Sequence, residues 1–596
     1  MKKLKQLLKN AVRLNKIAWQ QKKWSVIFTL LLVGVFAVLP YATSGINALL
    51  INDLTQNYGK GILDSHLLIL ALLSALFLFL PEIVGSLRDY FDKKMYIDLS
   101  YFFQLAYFKK KGEIDIQRYE DPKFQDTLNK AEDRSIYPPL TFLDTQYISI
   151  GSLISVILGL GVLLFYDWRI CILVLVAIIP QFIIEIKSSN DAWTIWDIDA
   201  KERRRYNNLQ EHFHQKNWLI ELKLYQNVRN FYEKVKNILF DFKNKQTKIQ
   251  RNKLFLEIGG SILSGGIIGI IAFWIIMQVI KGIIPVGTML FLITSITQLQ
   301  TSLIAFLGRM ARLHEQSLYV TDIFKVLDTQ PLLPRPLHPI HLDGATSKIT
   351  FENVSFSYPH SEKTTLENVS LTINRGEKFA LVGENGAGKT TFVKLLCRIY
   401  DPTEGRILID GIDLREIDLE SWYKTLGILF QEYAPYKFAV KDVIALGRSE
   451  DAFDMERVES AALASESDSF IQAWAGKYDQ QLGTEFDKGL DPSKGQQQRL
   501  AIARLLHRKA GILILDEPTA SIDAEAEKKI FDQIEKETVD QTVILISHKY
   551  STVKNADRIC VFKDKSVHEL GSHEELLKKK GTYAKLFKEQ AEGYAE

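Results

Sequence analysis

The residues with the plainest chemical capacity are Gly383-Glu384-Asn385-Gly386-Ala387-Gly388-Lys389-Thr390. Their spacing fits G-x-x-x-x-G-K-[ST], a loop whose glycines let backbone N–H groups converge on a phosphate. Phe379-Ala380-Leu381-Val382 before it is an apolar run that reads as a buried strand, and Thr391 to Leu396 after it read as a helix. A helix start adds positive partial charge where the phosphate would sit. In that setting Lys389 would reach the β- and γ-phosphates of a nucleotide and Thr390 would offer its hydroxyl to Mg²⁺. Thr391 is grouped with them as nucleotide-binding. A chance glycine loop in an α/β domain is the competing reading, but the other groups such a loop needs occur downstream, in order.

Gly511-Ile512-Leu513-Ile514-Leu515-Asp516-Glu517 reads as a buried strand that ends in two acids. Asp516 is placed to hold Mg²⁺ indirectly, and Glu517 to orient or deprotonate an attacking water. The strand after it, Val543 to Ile546, delivers Ser547-His548. Phe351-Glu352-Asn353-Val354-Ser355-Phe356-Ser357 alternates apolar and polar as a strand does, and ends on Tyr358, an aromatic able to stack on a purine. Two acids at a strand end, about 130 residues after a phosphate loop, form the constellation of a nucleoside triphosphatase.

The rest of the chain must hold these groups in place. A length of 596 residues exceeds one core and allows roughly four domain-sized units. Apolar residues make up 47%, but they concentrate before about residue 310. The net charge of +3 gives no basic signal for nucleic acid. Cys171, Cys397 and Cys560 are far apart and lack metal-ligand spacing, and nothing points to a disulfide framework.

Residues 1–24 carry Lys2, Lys3, Lys5, Lys9, Arg13, Lys16, Lys22 and Lys23, with leucines near helical spacing. They read as a basic amphipathic helix on the cytoplasmic membrane surface. Six apolar runs follow, at about 25–51, 62–88, 142–166, 168–187, 255–281 and 284–308, each long enough to span a bilayer. The odd-numbered connections are short. The even-numbered ones are long and basic, with Lys93, Lys94 and Lys109 to Lys111 in one and Lys201 and Arg203 to Arg205 in the other. That asymmetry puts both termini in the cytoplasm. The long connections read as helices, the first extending roughly 75 Å at 1.5 Å per residue. Gly259, Gly260, Gly265, Gly266 and Gly269 would allow close helix approach in the fifth span. Glu82, Glu185 and Lys187 lie in or near apolar spans, where charges face water or a partner. The proline-rich segment 328–346 is a linker, so the expected domains are a membrane domain over 25–327 and a nucleotide-binding domain over 347–596.

With these motifs in place the second half resembles the nucleotide-binding domain of the ATP-binding cassette (ABC) superfamily, and the whole chain resembles a bacterial ABC exporter half-transporter. The fold class implied is an α-helical transmembrane domain followed by an α/β P-loop ATPase domain. The resemblance makes Tyr358 the adenine-stacking aromatic, Gln431 the glutamine that senses Mg²⁺ and couples to the membrane domain, and His548 the switch histidine. It matches Ser521-Ile522-Asp523 to the loop after the acids and Gly483-Thr484-Glu485 to the acidic loop before the signature. The signature Leu-Ser-Gly-Gly-Gln is here Pro492-Ser493-Lys494-Gly495-Gln496, which retains Ser493, Gly495 and Gln496 as γ-phosphate contacts. Lys494 is the departure: a cation at a helix N-terminus opposes the dipole unless it faces a phosphate. Tyr119-Glu120-Asp121-Pro122-Lys123-Phe124 and Leu219 to Tyr225 resemble the two cytoplasmic loops that dock on the ATPase domain.

The expected protein is an ATP- and Mg²⁺-dependent ATPase that exports an amphiphilic or hydrophobic drug, lipid or peptide across the cell inner membrane. Its expected partners are a second copy of itself in a homodimer, membrane lipid and the substrate, with no nucleic acid. One half of a heterodimer, and a non-transporting ATP-gated regulator or channel, are the alternatives.

Overall fold

The structure, a computed structural model, describes residues 2–56, 65–132, 137–198, 200–342, 347–359, 361, 363–448, 452–518, 524–547 and 549–595. The chain forms two compact units, Met1–Ile114 with Lys123–Thr329, and Asp115–Pro122 with Gln330–Glu596.

The first unit is helical. Its elements are α1 (Lys2–Gln56), α2 (Ser65–Glu113), then, after α3 (Ile116–Glu120), α4 (Pro122–Glu132), α5 (Tyr137–Tyr166), α6 (Trp168–Ile198), α7 (Ala200–His214), α8 (Lys216–Leu224), α9 (Val228–Ile280) and α10 (Val286–Leu327). Among the described residues, five of these helices are long and apolar enough to cross a membrane: α1, α2, α5, α9 and α10. The start of α6, Trp168–Ile184, is a shorter apolar stretch. At 49 residues α2 matches the long helix expected there. Leu163, Val174, Ile275 and Leu299 bring α5, α6, α9 and α10 into one core. Of the five glycines noted in α9, only Gly260 has close company: a Cβ there would lie 2.8 Å from Ile184. That contact fits the close packing of α9 on α6.

The N-terminal helix departs from a purely membrane-surface reading. Leu14 and Ala18 are fully buried against Leu313, Val320 and Phe324 of α10 and Leu143 of α5. Asn10 donates to the Ser317 carbonyl at 2.8 Å and to Thr321 Oγ1 at 2.8 Å, and Arg13 pairs with Asp328. Leu4, Leu8 and Val12 remain exposed as a second apolar row. A helix with two apolar rows can bury one in protein and still offer the other to lipid, and charge patterning alone cannot tell these surfaces apart. The backbone of α1 breaks at Lys22, where φ is −147° and ψ is 64°. Glu82 is exposed on α2, while the side chains of Glu185 and Lys187 lie outside the described residues.

The second unit is α/β. In chain order it contains β1 (Ile349–Ser357), β2 (Thr364–Ile373), β3 (Lys378–Gly383), α11 (Lys389–Leu396), β4 (Glu404–Ile409), β5 (Ile412–Asp413), α12 (Leu419–Thr425) and β6 (Leu426–Leu429). A helical stretch follows: α13 (Val440–Ala445), α14 (Met455–Ala464), α15 (Asp468–Ala473) and α16 (Lys494–Arg508). The chain ends with β7 (Ile512–Asp516), α17 (Ala524–Glu537), β8 (Thr542–Ile546), α18 (Tyr550–Val553), β9 (Arg558–Lys563), β10 (Ser566–Gly571), α19 (His573–Lys579) and α20 (Thr582–Ala595).

One sheet has the order β2-β1-β4-β5 and is antiparallel; the other has the order β10-β9-β3-β8-β7-β6. In the second, β9, β3, β8, β7 and β6 run parallel. Every residue of β7 and β8 is buried, the signature of parallel strands covered on both faces. Parallel strands present their carboxyl ends along one edge, which is where ligands bind in such sheets. That edge therefore gathers Gly383, Asp516 and Ser547 from segments far apart in sequence. Segment 115–122 packs within this unit: Asp115 Oδ2 accepts from the Leu332 and Leu333 N–H groups, and Gln117 Nε2 donates to the Ile399 carbonyl at 2.8 Å.

Candidate nucleotide site

The loop from Gly383 to Lys389 has the backbone that its glycines allow. Gly388 sits at φ +106° as the N-cap of α11, and a Cβ there would lie 2.5 Å from Leu366. Gly383, at φ +150°, runs against the Phe562 carbonyl, so a side chain at either place would collide. Lys389 is 7% exposed, and its Nζ donates to the carbonyls of Gly383 at 2.7 Å and Glu384 at 3.0 Å. The ammonium thus folds back on its own loop, held where an anionic phosphate would replace the two carbonyls as its partner. Burial lowers its pKa, against the pull of Glu517 and Asp516. Thr390 and Thr391 lie in the first turn of α11.

Across the same edge Asp516 closes β7 and is 6% exposed. Burial pushes its carboxyl up to about 6; the Glu517 carboxylate pushes the same way, and Lys389 pulls it back. Two adjacent acids beside one ammonium are short of positive charge, so this donor set fits a divalent cation. Glu517 leaves the strand with φ +48°. A non-glycine residue in that region costs about 1 kcal/mol or more and is held only by its surroundings. Those surroundings are explicit. The Glu517 N–H donates to the Ile546 carbonyl at 2.9 Å, and Gln431 Nε2, just past β6, donates to Glu517 Oε2 at 2.8 Å.

Gln498 Nε2 also reaches the Glu517 carbonyl, at 3.4 Å. This contact was not read from the sequence. Its signal is periodicity: Gln498 shares a helical face with the buried Ala501, Ile502 and Leu505, and a polar residue on a core face needs a partner.

Tyr358 follows β1. Its hydroxyl shares a hydrogen bond with Thr391 Oγ1 at 3.0 Å, and its ring meets Tyr400 edge-on at 5.3 Å. Lys394 Nζ stands 5.3 Å from the ring centroid and pairs with Glu120 of α3 at 3.1 Å; the Tyr400 hydroxyl also donates to Glu120. The aromatic expected beside a purine is therefore joined to segment 115–122 through two side chains, neither of them singled out in the sequence.

Ser493 caps α16 in a reciprocal box: its Oγ accepts from the Gln496 N–H at 3.3 Å, and Gln496 Oε1 accepts from the Ser493 N–H at 2.9 Å. The N–H of Gly495, in the first turn of α16, has no intrahelical carbonyl to bond. Lys494 is exposed, and its carbonyl accepts from the Tyr433 hydroxyl at 3.0 Å. Glu485 pairs with Lys437. His548 and Ser521-Ile522-Asp523 lie outside the described residues. The structure brings the loop, Asp516, Glu517 and Gln431 to one sheet edge and places Tyr358 beside α11.

Residues 366–520 match the family model for the ABC transporter. The second unit carries an ABC transporter domain. The subtilin transport ATP-binding protein SpaT of Bacillus subtilis is 28% identical over 522 residues, covering 87% of this chain and 84% of SpaT. The nisin transport ATP-binding protein NisT of Lactococcus lactis subsp. lactis is 26% identical over 577 residues, covering 96% and 94%. Among solved structures, that of a bacterial Atm1-family ABC exporter with ATP bound superposes with a TM-score of 0.80 at 23% identity, covering 96% of this chain and 98% of the other. The transporter thus has the ABC exporter fold, with its apolar helices and a nucleotide-binding ATPase domain fused in one chain. It is a multi-pass membrane protein of half-transporter layout, an arrangement that calls for dimerisation and a transported substrate.

Proposed function

We propose that this transporter is a homodimeric exporter that moves an amphiphilic peptide across the cell inner membrane, driven by ATP hydrolysed at two interfacial sites. The observation that carries the reading is the Gln431–Glu517 contact at the carboxyl edge of the sheet, on a chain that also holds the membrane helices. The peptide class follows from SpaT and NisT, which match this chain over most of its length and whose names give subtilin and nisin transport.

In this reading the backbone N–H groups of Gly383 to Thr390 and the Thr391 side cradle the phosphates. Lys389 leaves the Gly383 and Glu384 carbonyls to neutralise the β- and γ-oxygens. Tyr358 stacks on adenine. Glu517 positions or deprotonates the attacking water, with Gln431 holding its carboxylate. His548 steadies the γ-phosphate. Thr390, Gln431 and Asp516 would hold Mg²⁺, which supplies positive charge to the phosphate oxygens when bound. Ser493, Gly495 and Gln496 of one copy complete the site on the other, so one copy cannot close a site alone and a two-fold symmetric pair gives two. ATP closes the pair, and product release reopens it.

The proposed divisions are a basic N-terminal helix (1–24), six spans within 25–327, a linker (328–346) and the ATPase domain (347–596), with both termini in the cytoplasm. The lysine-rich long connections support that orientation. The test is ATPase activity of the purified transporter in lipid against a panel of amphiphilic peptides, lipids and drugs. Stimulation by peptides alone supports the reading; stimulation by lipids or drugs alone overturns the peptide class.

A further inference from the structure

Glu517 stands at φ +48° and is followed by Pro518. A proline presses the residue before it toward extended backbone with negative φ, so this conformation is held against the preference of the side chain and of the proline. Three elements hold it. Ile546, at the end of β8, accepts from the Glu517 N–H at 2.9 Å. Gln431, past β6, donates to Oε2 at 2.8 Å. Gln498 of α16 donates to the Glu517 carbonyl at 3.4 Å. The first two grip the amide and the side chain; the third grips the peptide that joins Glu517 to Pro518.

The rest of its helix places Gln498 for this. Gln498 is 3% exposed and shares a helical face with Ala501, Ile502 and Leu505, which pack with Leu429 of β6 and Leu513 and Leu515 of β7. One turn nearer the helix start than those residues, Gln498 lies beside the residue that follows β7. Its neighbours pin the helix: Gln497 Nε2 donates to the Pro492 carbonyl at 3.1 Å and Arg499 Nη1 to the Glu466 carbonyl at 3.2 Å. A buried carboxamide is costly unless its polar atoms find partners. A methionine side chain has nearly the same length and no donor, so the amide's contribution is separable from the filling of space.

We propose that Gln498 is a positioning residue for ATP hydrolysis: by holding the Glu517 carbonyl it keeps that peptide from turning toward extended backbone, and so keeps the carboxylate where it meets the attacking water. It touches no nucleotide in this assignment and acts only through Glu517. The proposal rests on the reading of Glu517 as the group that positions or deprotonates water, and deepens it. Placement of such a group matters, because an error of about 1 Å can lower a rate by roughly 100-fold. The Gln498 contact is the longest of the three, so the loss expected from removing it is several-fold.

The experiment measures steady-state ATP hydrolysis by the full-length transporter in proteoliposomes, with ATP affinity titrated alongside. Gln498→Met should lower kcat about fivefold, the worth of one neutral hydrogen bond, and leave the KM for ATP within about twofold. The double variant Gln498→Met with Glu517→Gln should hydrolyse ATP at the rate of Glu517→Gln alone, because a residue that acts through the base then has nothing to act on. An unchanged kcat, or a raised KM at unchanged kcat, overturns the assignment. So does a double variant several-fold slower than Glu517→Gln alone, which makes Gln498 a packing residue of α16. If Gln498→Met binds no ATP, Gln498→Glu decides. It keeps size and polarity but has no amide proton, and in alkaline buffer it should bind ATP and show the same fall in kcat. Parent-level kcat in that variant, or loss of ATP binding in both, overturns the assignment. A slow Glu517→Gln beside an unaffected Gln498→Met removes Gln498 alone, whereas parent-level hydrolysis by Glu517→Gln overturns the reading of Glu517 and this assignment with it.

Discussion

Gln431 Nε2 donates to Glu517 Oε2 across 2.8 Å, joining the residue two places past β6 to the residue just past β7. The contact fixes one carboxylate oxygen of a residue whose backbone already sits at φ +48°. Glu517→Gln keeps an oxygen for Gln431 and leaves Asp516 untouched, so ATP binding should persist. Turnover should fall by roughly 100-fold or more, the usual worth of a positioned base. The measurements are kcat and nucleotide affinity of the purified variant; near-parent hydrolysis would remove Glu517 from the role.

Asp516 sets a pH limb. Its carboxyl, raised from 3.8 to about 6, is protonated below that value, and a protonated carboxyl does not hold a cation. ATPase activity at limiting Mg²⁺ should therefore decline as pH falls through about 6. Raising Mg²⁺ should move the limb to lower pH, because cation and proton compete for one oxygen. The sign for stability of the nucleotide-free fold is the reverse. The favourable contribution of the protonated acid is complete below 3.8 and lost as pH rises through about 6. An activity profile with no acid limb near that value, or one indifferent to Mg²⁺, contradicts this.

Tyr358 offers a ring already steadied by Tyr400 and Thr391. Tyr358→Ala should raise the KM for ATP several-fold, consistent with stacking worth about 1 kcal/mol, and Tyr358→Trp should not. An alanine variant with the parent's KM would leave the ring as strand packing.

Lys494 is the departure in the signature, and its side chain is exposed at the first position of α16. A solvated lysine there opposes the dipole by a few tenths of a kcal/mol. Lys494→Gly should then leave the ATP midpoint of dimer closure within about twofold and its salt dependence unchanged. Weaker closure with lower salt sensitivity in the variant would instead place the ammonium on the partner's γ-phosphate.

The phosphate loop, its strand and helix and the two acids were legible because glycine, lysine and paired carboxylates at set spacing have few other uses, and because strands buried on both faces read as apolar runs. Tyr358 and Gln431 gained their meaning from resemblance, since an aromatic at a strand end and a lone glutamine say little by themselves. Gln498 was legible only in hindsight: its partner, the Glu517 carbonyl, comes within reach once β7 and α16 are packed. Lys394 and Tyr400 were hidden for the same reason, being distant in sequence from Glu120 and unremarkable in type. The N-terminal helix shows a different limit. Its basic, leucine-rich pattern suits a membrane surface, yet Leu14 and Ala18 are buried against α5 and α10.

The central claim is that hydrolysis at the Gly383–Glu517 edge drives a peptide across the membrane. The most direct test is accumulation of a fluorescent amphiphilic peptide inside sealed vesicles whose ATPase domains face the medium, comparing the parent with Glu517→Gln. The account predicts ATP- and Mg²⁺-dependent uptake against a gradient by the parent and roughly 100-fold less by the variant, as for its turnover. Uptake that proceeds without ATP, or at the parent rate in the variant, would contradict it.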